Sequence, residues 1–168
     1  MIGILSHRLP AALLVGAALL LGPAAAHAIE TLAKQALIVD YETGSVLLDK
    51  NADEPVHPAS MTKLMTLYLL FEQLKQGKLK LDDTFRVSQS AWARGENVES
   101  NMFLPLDSAV SIEDLIRGIA IQSGNDACKV VAEGIAGSEE AFAKMMNKKA
   151  GELGLAHSHF ENSDGLEA

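Results

Sequence analysis

A single cysteine among 168 residues, Cys128, excludes any internal disulfide. Ala127, Cys128, Val131 and Ile135 recur with helical spacing, so the thiol is expected to be buried and structural. A metal-ligand set is also lacking. His157 and His159 alternate, but no Cys, Asp or Glu completes a site at defined spacing, and no metal is expected. Positive charge is scarce too, with 14 Lys and Arg against 22 Asp and Glu. The first 28 residues carry one Arg and no acid, which leaves residues 29–168 with 13 basic and 22 acidic side chains and a net charge of −9. Such an acidic surface argues against nucleic acid as a partner. There is no internal repeat. The one strongly apolar run, Ala11 to Leu21, is short for a bilayer and ends at Gly22-Pro23. With Arg8 before it and the small-x-small sequence Ala26-His27-Ala28 after it, the run reads as a signal peptide cleaved after Ala28. Export to the periplasm or cell envelope is the expectation.

What the chain does contain is a Ser-x-x-Lys element, Ser60-Met61-Thr62-Lys63, at the head of its longest apolar helical pattern. Residues three apart share a helix face, so the Lys63 amine can reach the Ser60 hydroxyl that must lose its proton to become a nucleophile. Pro58-Ala59 is expected to bring the chain in extended, and Leu64, Leu67, Tyr68, Phe71 and Leu74 continue with helical spacing. Ser60 would then sit near a helix N-terminus, where backbone N–H groups favour negative charge on its oxygen. Lys63, one turn inward among apolar neighbours, would be partly desolvated, a setting in which an amine serves as general base. Taken alone, the pair is as readily an ordinary helix cap and a surface lysine. Sixty residues on, Ser123-Gly124-Asn125 follows a second apolar pattern. By itself it is a turn between helices.

The coarse organisation reads as follows. Ala36 to Tyr41 and Ser45 to Asp49 form a hairpin across Glu42-Thr43-Gly44. The Ser60 helix ends near Gly77, before a polar turn with Lys78, Lys80, Asp82 and Asp83. Val87 to Pro105 is irregular and is expected to wrap the active-site region as a long loop or short helices. Ser111-Ile112-Glu113-Asp114 resembles a capping box and opens a helix with Ile112, Leu115, Ile116 and Ile119 on its apolar stripe. Ser138-Glu139-Glu140 opens another, with Phe142, Met145, Met146 and Leu153 inward, Lys144, Lys148 and Lys149 outward, and Gly154 at its end.

Several runs, taken in order, resemble one known family. Pro58-Ala59-Ser60-Met61-Thr62-Lys63-Leu64-Met65-Thr66, Ala91-Trp92, Met102-Phe103-Leu104, Leu115-Ile116-Arg117-Gly118 and Gln122-Ser123-Gly124-Asn125-Asp126-Ala127-Cys128 look like the low-molecular-mass penicillin-binding proteins that act as D-alanyl-D-alanine carboxypeptidases. Gly151-Glu152-Leu153-Gly154-Leu155, His159-Phe160 and Gly165-Leu166 extend the similarity, which runs from about Gln35 to Leu166. The resemblance implies a fold of the α/β class (α+β type), the N-terminal part of a β-lactamase-like transpeptidase fold with a hairpin, a helical cluster and an incomplete central antiparallel sheet. It implies Ser60 as the nucleophile that forms an acyl-enzyme with a peptidoglycan stem peptide ending in D-Ala-D-Ala, or with a β-lactam. Lys63 would accept the proton, Ser123 would pass one toward the leaving amine, and Asn125 would hydrogen-bond the substrate amide. No cofactor is implied.

The departure from the family is the third motif. No Lys-Thr-Gly occurs, and its nearest lookalike, Lys149-Ala150-Gly151, lies inside an expected helix. In the family that motif lines the groove, binds the substrate's terminal carboxylate and completes the oxyanion hole. Residues 29–168 are therefore expected to be the N-terminal part of the catalytic domain, without the remaining sheet, the C-terminal β domain and the membrane-tethering helix, and inactive as they stand. Two rival readings are a β-lactamase, for which Glu161 is the nearest candidate to activate water, and a non-catalytic remnant that binds muropeptide or penicillin.

Overall fold

The computed structural model describes residues 30–96 and 100–166; the signal peptide read in residues 1–28 lies outside them. The chain divides into two compact units with the boundary between Glu54 and Pro55.

The first unit is the expected hairpin, slightly displaced in sequence. Strands β1 (Ala36–Val39) and β2 (Val46–Lys50) pair antiparallel, Leu37 opposite Asp49, with the register shifting between Ile38 and Val39. The turn is built by Asp40, whose carboxylate accepts hydrogen bonds from the Thr43 N–H and hydroxyl. Gly44 follows at φ +71°, a left-handed conformation that costs glycine little. Leu37, Ile38 and Val39 of β1 and Val46 and Leu47 of β2 are exposed, while Ala36 and Leu48 are half-buried.

In the second unit a short 3-10 turn (Ala59–Thr62) leads into α1 (Lys63–Lys75). After it come β3 (Thr84–Arg86), α2 (Gln89–Glu96), β4 (Ala109–Ser111), α3 (Ile112–Gln122), α4 (Asn125–Ala136) and α5 (Glu139–Glu152). The helix α4 is the centre: it packs against α1, α2, α3, α5 and β3. Its Ala127, Cys128, Val130, Val131 and Ala132 are buried, as expected for the thiol. Around them close Leu69 and Leu70 of α1, Ala91 of α2, Ile112, Leu115 and Ile119 of α3, and Phe142 and Met146 of α5. Both expected caps are present. Ser111 Oγ accepts from the Asp114 N–H and Ser138 Oγ from the Ala141 N–H, each satisfying a first-turn donor with no partner inside its helix. Lys149-Ala150-Gly151 lies within α5, as expected of that lookalike.

Residues 87–105 take the short-helix form through α2, and just before them β3 pairs with β4, Phe85 opposite Val110, a pairing the sequence did not suggest. Three readings need correction. The apolar series Leu64, Tyr68, Phe71 is the outer face of α1, with Leu64 71% exposed; the buried face is Lys63, Met65, Thr66, Leu69 and Leu70. Leu153 is exposed, and Lys149 is largely covered because it bridges Glu72 of α1 and Glu152 at 3.0 and 2.6 Å. Finally, the chain does not enter Ser60 extended. Pro58 is helical (φ −72°, ψ −15°), Ala59 is left-handed (φ 46°), and the Met61 N–H closes a turn on the Pro58 carbonyl.

No helix among the described residues is long and apolar enough to cross a membrane. The two faces of α1 make a direct test. Leu70→Ala is expected to cost about 2–5 kcal/mol in urea denaturation and Leu64→Ala less than about 0.5 kcal/mol; equal effects would contradict the assigned face.

Candidate active site

Ser60 occupies the second position of the 3-10 turn and is exposed, whereas Lys63, the first residue of α1, retains only 4% exposure. The spacing read from the sequence does what it must. Lys63 Nζ donates to Ser60 Oγ at 3.2 Å. Across the groove Ser123 Oγ donates to the same oxygen at 3.1 Å. One accessible hydroxyl thus lies between a buried amine and a second hydroxyl, the geometry of a nucleophile with a base and a relay.

Two backbone conformations set this up. Ser123 ends α3 left-handed at φ 56°, ψ 35°, with its N–H on Ile119 O and the Gly124 N–H on Gly118 O. A residue other than glycine there costs roughly 1–2 kcal/mol, and the left-handed Ala59 carries a similar cost on the other side of Ser60. These are sites where strain holds a side chain in place. Gly124 then opens α4 at Asn125.

Asn125 is 3% exposed. Its Nδ2 and its N–H both donate to Ser100 O at 2.9 Å, and its Oδ1 has no hydrogen-bond partner. The neighbouring Asp126 is fully buried and accepts from the N–H groups of Met102 and Leu104 at 2.9 and 3.1 Å. Together these residues fasten segment 100–104 beside the Ser123-Gly124 turn. Phe103, between the two held N–H groups, is left-handed at φ 56° and exposed.

Sequence reasoning missed the floor of the site. The segment Asn162 to Leu166 crosses beneath Lys63, whose Nζ donates to Asp164 O at 2.9 Å, while Thr66 Oγ1, one turn further along α1, donates to Ser163 O at 2.6 Å. The Asp164 carboxylate is gripped by Arg94 of α2 through Nε at 2.8 Å and Nη2 at 3.1 Å. Glu139 of α5 accepts from the Ser163 hydroxyl and N–H and pairs with Lys129 at 3.1 Å. Burial works to raise the Glu139 pKa, but the Ser163 donors and Lys129 outweigh it and hold the carboxyl below the ordinary range. The only local signal for this floor was Gly165 within the last matching run. At φ +80° it lets the chain turn, and an added Cβ would lie 1.9 Å from Ala59 O and 2.6 Å from Thr62 Oγ1.

Among the described residues no group of three or more His, Cys, Asp or Glu could hold a metal ion. His157 and His159 are exposed. Burial raises the pKa of the Cys128 thiol despite the opposing influence of Lys63, so it is no nucleophile.

Residues 23–168 match the family model described as D-alanyl-D-alanine carboxypeptidase. The chain belongs to that family. It is 47% identical over 134 residues to D-alanyl-D-alanine carboxypeptidase DacF of Bacillus subtilis, covering 80% of this chain and 34% of the relative. To DacC of Escherichia coli it is 45% identical over 135 residues, 79% of this chain and 34% of the relative. The chain thus spans about a third of the length of the curated relatives it matches. Among solved structures, penicillin binding protein 5 from Haemophilus influenzae superposes with a TM-score of 0.78 at 38% identity, over 83% of this chain and 41% of that one. The carboxypeptidase DacD from Francisella tularensis gives 0.77 at 36%, over 84% and 33%. The mixed helix-and-strand fold expected from the resemblance is therefore the family's fold.

Two outcomes follow from the floor. Gly165→Ala is expected to displace the turn that carries Ser60, because the blocking atom is backbone and cannot rotate away; a melting temperature lowered by several degrees is the reading that checks it. For Glu139, a native pKa held below the ordinary value means that its stabilisation is fully present above the ordinary carboxylate range and is lost as pH falls through it to the lower native value. Glu139→Gln should flatten that acid limb in a melting-temperature profile against pH; an unaltered limb would place the acid sensitivity elsewhere.

Proposed function

We propose that this chain carries the acylation machinery of a serine-type D-Ala-D-Ala carboxypeptidase acting on peptidoglycan stem peptides and acylated by β-lactams. The observation that carries this reading is the meeting of Lys63 Nζ and Ser123 Oγ on the exposed Ser60 Oγ, at 3.2 and 3.1 Å. In the free-base form Lys63 takes the Ser60 proton as the oxygen attacks the carbonyl carbon of the penultimate D-Ala. The peptide C–N bond then breaks, and the departing D-Ala amine takes a proton by way of Ser123 Oγ. Water hydrolyses the resulting ester on Ser60. Asn125, with a buried Oδ1 that lacks a partner, is assigned to the substrate amide. Residues 29–168 are proposed to be part of the catalytic domain, and residues 1–28 to direct export to the cell envelope.

A β-lactamase needs a carboxylate free to activate the deacylating water. Glu161 is exposed, and the two acids built into the floor, Asp164 and Glu139, are committed to Arg94 and Lys129. That distribution favours slow deacylation, the behaviour of a penicillin-binding protein.

Residues 29–168 as they stand are proposed not to turn over stem peptides, so the step tested is acylation alone: incubation with benzylpenicillin should yield one covalent adduct, mapped to Ser60 by digestion and intact mass, and absent from Ser60→Ala. Lys63→Ala should slow its formation by about 10²–10⁴-fold. A folded chain that acquires no adduct, or an adduct elsewhere, would refute the assignment.

A further inference from the structure

A neutral amine has two N–H groups and one lone pair, so whether Lys63 can take a proton from Ser60 depends on where its N–H groups are spent. One goes to Asp164 O at 2.9 Å. That bond limits rotation about Cε–Nζ, so that in the neutral amine, with the second N–H turned away, the lone pair can face the Ser60 oxygen to which Nζ donates at 3.2 Å in this structure. The position of the Asp164 carbonyl therefore governs the aim of the base.

The carbonyl belongs to a residue whose side chain is wholly buried and held by the two-pronged Arg94 contact. Arg94 is only 26% exposed, and the fork of its guanidinium fits both carboxylate oxygens at once, which a lysine ammonium cannot do. The same carboxylate also accepts the Leu166 N–H at 3.0 Å, so side chain and following backbone are locked together. The rest of the segment has further anchors, although Glu139 among them also lies 4.0 Å from Arg94 Nη2. Asn162 Oδ1 accepts the Gly165 N–H at 2.7 Å, and Ser163 is tied to Glu139 and Thr66. Loss of Arg94 should therefore leave the segment in place but free the Asp164 peptide unit to rotate, because a buried carboxylate without its cation seeks water.

We propose that Arg94 is a positioning residue for acyl transfer, acting through Asp164 to hold the carbonyl that orients the Lys63 amine toward Ser60. This rests on the assignment of Lys63 as base. Neither Arg94 nor Asp164 was picked out by sequence, and the pair joins helix α2 to a segment 70 residues later.

The test uses the full chain with Arg94→Met and Arg94→Lys, each checked for native far-ultraviolet circular dichroism. Arg94→Met is expected to slow acylation of Ser60 by a fluorescent penicillin about 10–100-fold and to shift the acid limb of its pH profile, with Arg94→Lys recovering only part of the rate. Independently of activity, trace reductive methylation read by mass spectrometry should label Lys63 severalfold faster in Arg94→Met, relative to the exposed Lys144 in the same digest. Unchanged Lys63 labelling and an unchanged pH profile in a folded variant would overturn the proposal. So would full rescue by Arg94→Lys, since charge alone would then suffice. Should Arg94→Met not fold, Arg94→Lys decides alone: wild-type labelling and rate in it would count against the role. If the parent chain takes no penicillin on Ser60, the acyl-transfer reading fails, while the labelling comparison still decides whether Arg94 fixes the Lys63 amine.

Discussion

The inner face of α1 buries an amine and a hydroxyl where a helix ordinarily buries hydrocarbon, and two consecutive carbonyls, those of Ser163 and Asp164, make this possible. Unpaired, either group would cost several kcal/mol in that environment, and the amine more than the hydroxyl. Paired, they decide which way the helix rolls. Lys63 and Thr66 turn inward with Met65, Leu69 and Leu70, and Leu64, Tyr68 and Phe71 are carried outward. The placement of Ser60 follows, since it sits one turn before Lys63 at the rim of the same face. The carbonyls are themselves fixed by Arg94 and Glu139, so three helices converge on one short segment.

The site divides its labour between stiff support and strained presentation. Beneath Lys63 nearly every polar atom is paired. Above it, Ala59 and Ser123 hold left-handed conformations, in turns that bring the Ser60 and Ser123 hydroxyls within 3.1 Å of each other. The central helix α4 serves both parts. Its first residues fasten segment 100–104, and its apolar body supplies the core against which α1, α2 and α3 are aligned. The geometry around Ser60 and hydrophobic packing are consequently hard to separate in this unit.

The sequence exposed what is local. Ser60 and Lys63 could be paired from helical spacing, Ser111 and Ser138 from capping chemistry, and the stripe of α3 from its period, because each depends on neighbours within four residues. The orientation of α1 could not be read that way. Apolar residues surround that helix, so periodicity offers two faces, and the choice between them is made by residues 163 and 164. Arg94 and Asp164 carry no pattern at all, lying on a helix and a turn far apart in the chain. The β3–β4 pair escaped because three residues a side leave too short a run for alternation to register.

The bond from Lys63 to Asp164 spans 101 positions, which fixes when in the molecule's history the buried amine gains its partner. Contacts between such distant residues form late, after local helices have gained their own stability. A chain synthesised from its N-terminus presents Ser60 and Lys63 long before the segment that gives the amine its direction exists. The amine is thereby without this partner in nascent and partly folded molecules. The pairing is made only when that turn docks, so a buried and partnered Lys63 becomes a signature of finished folding.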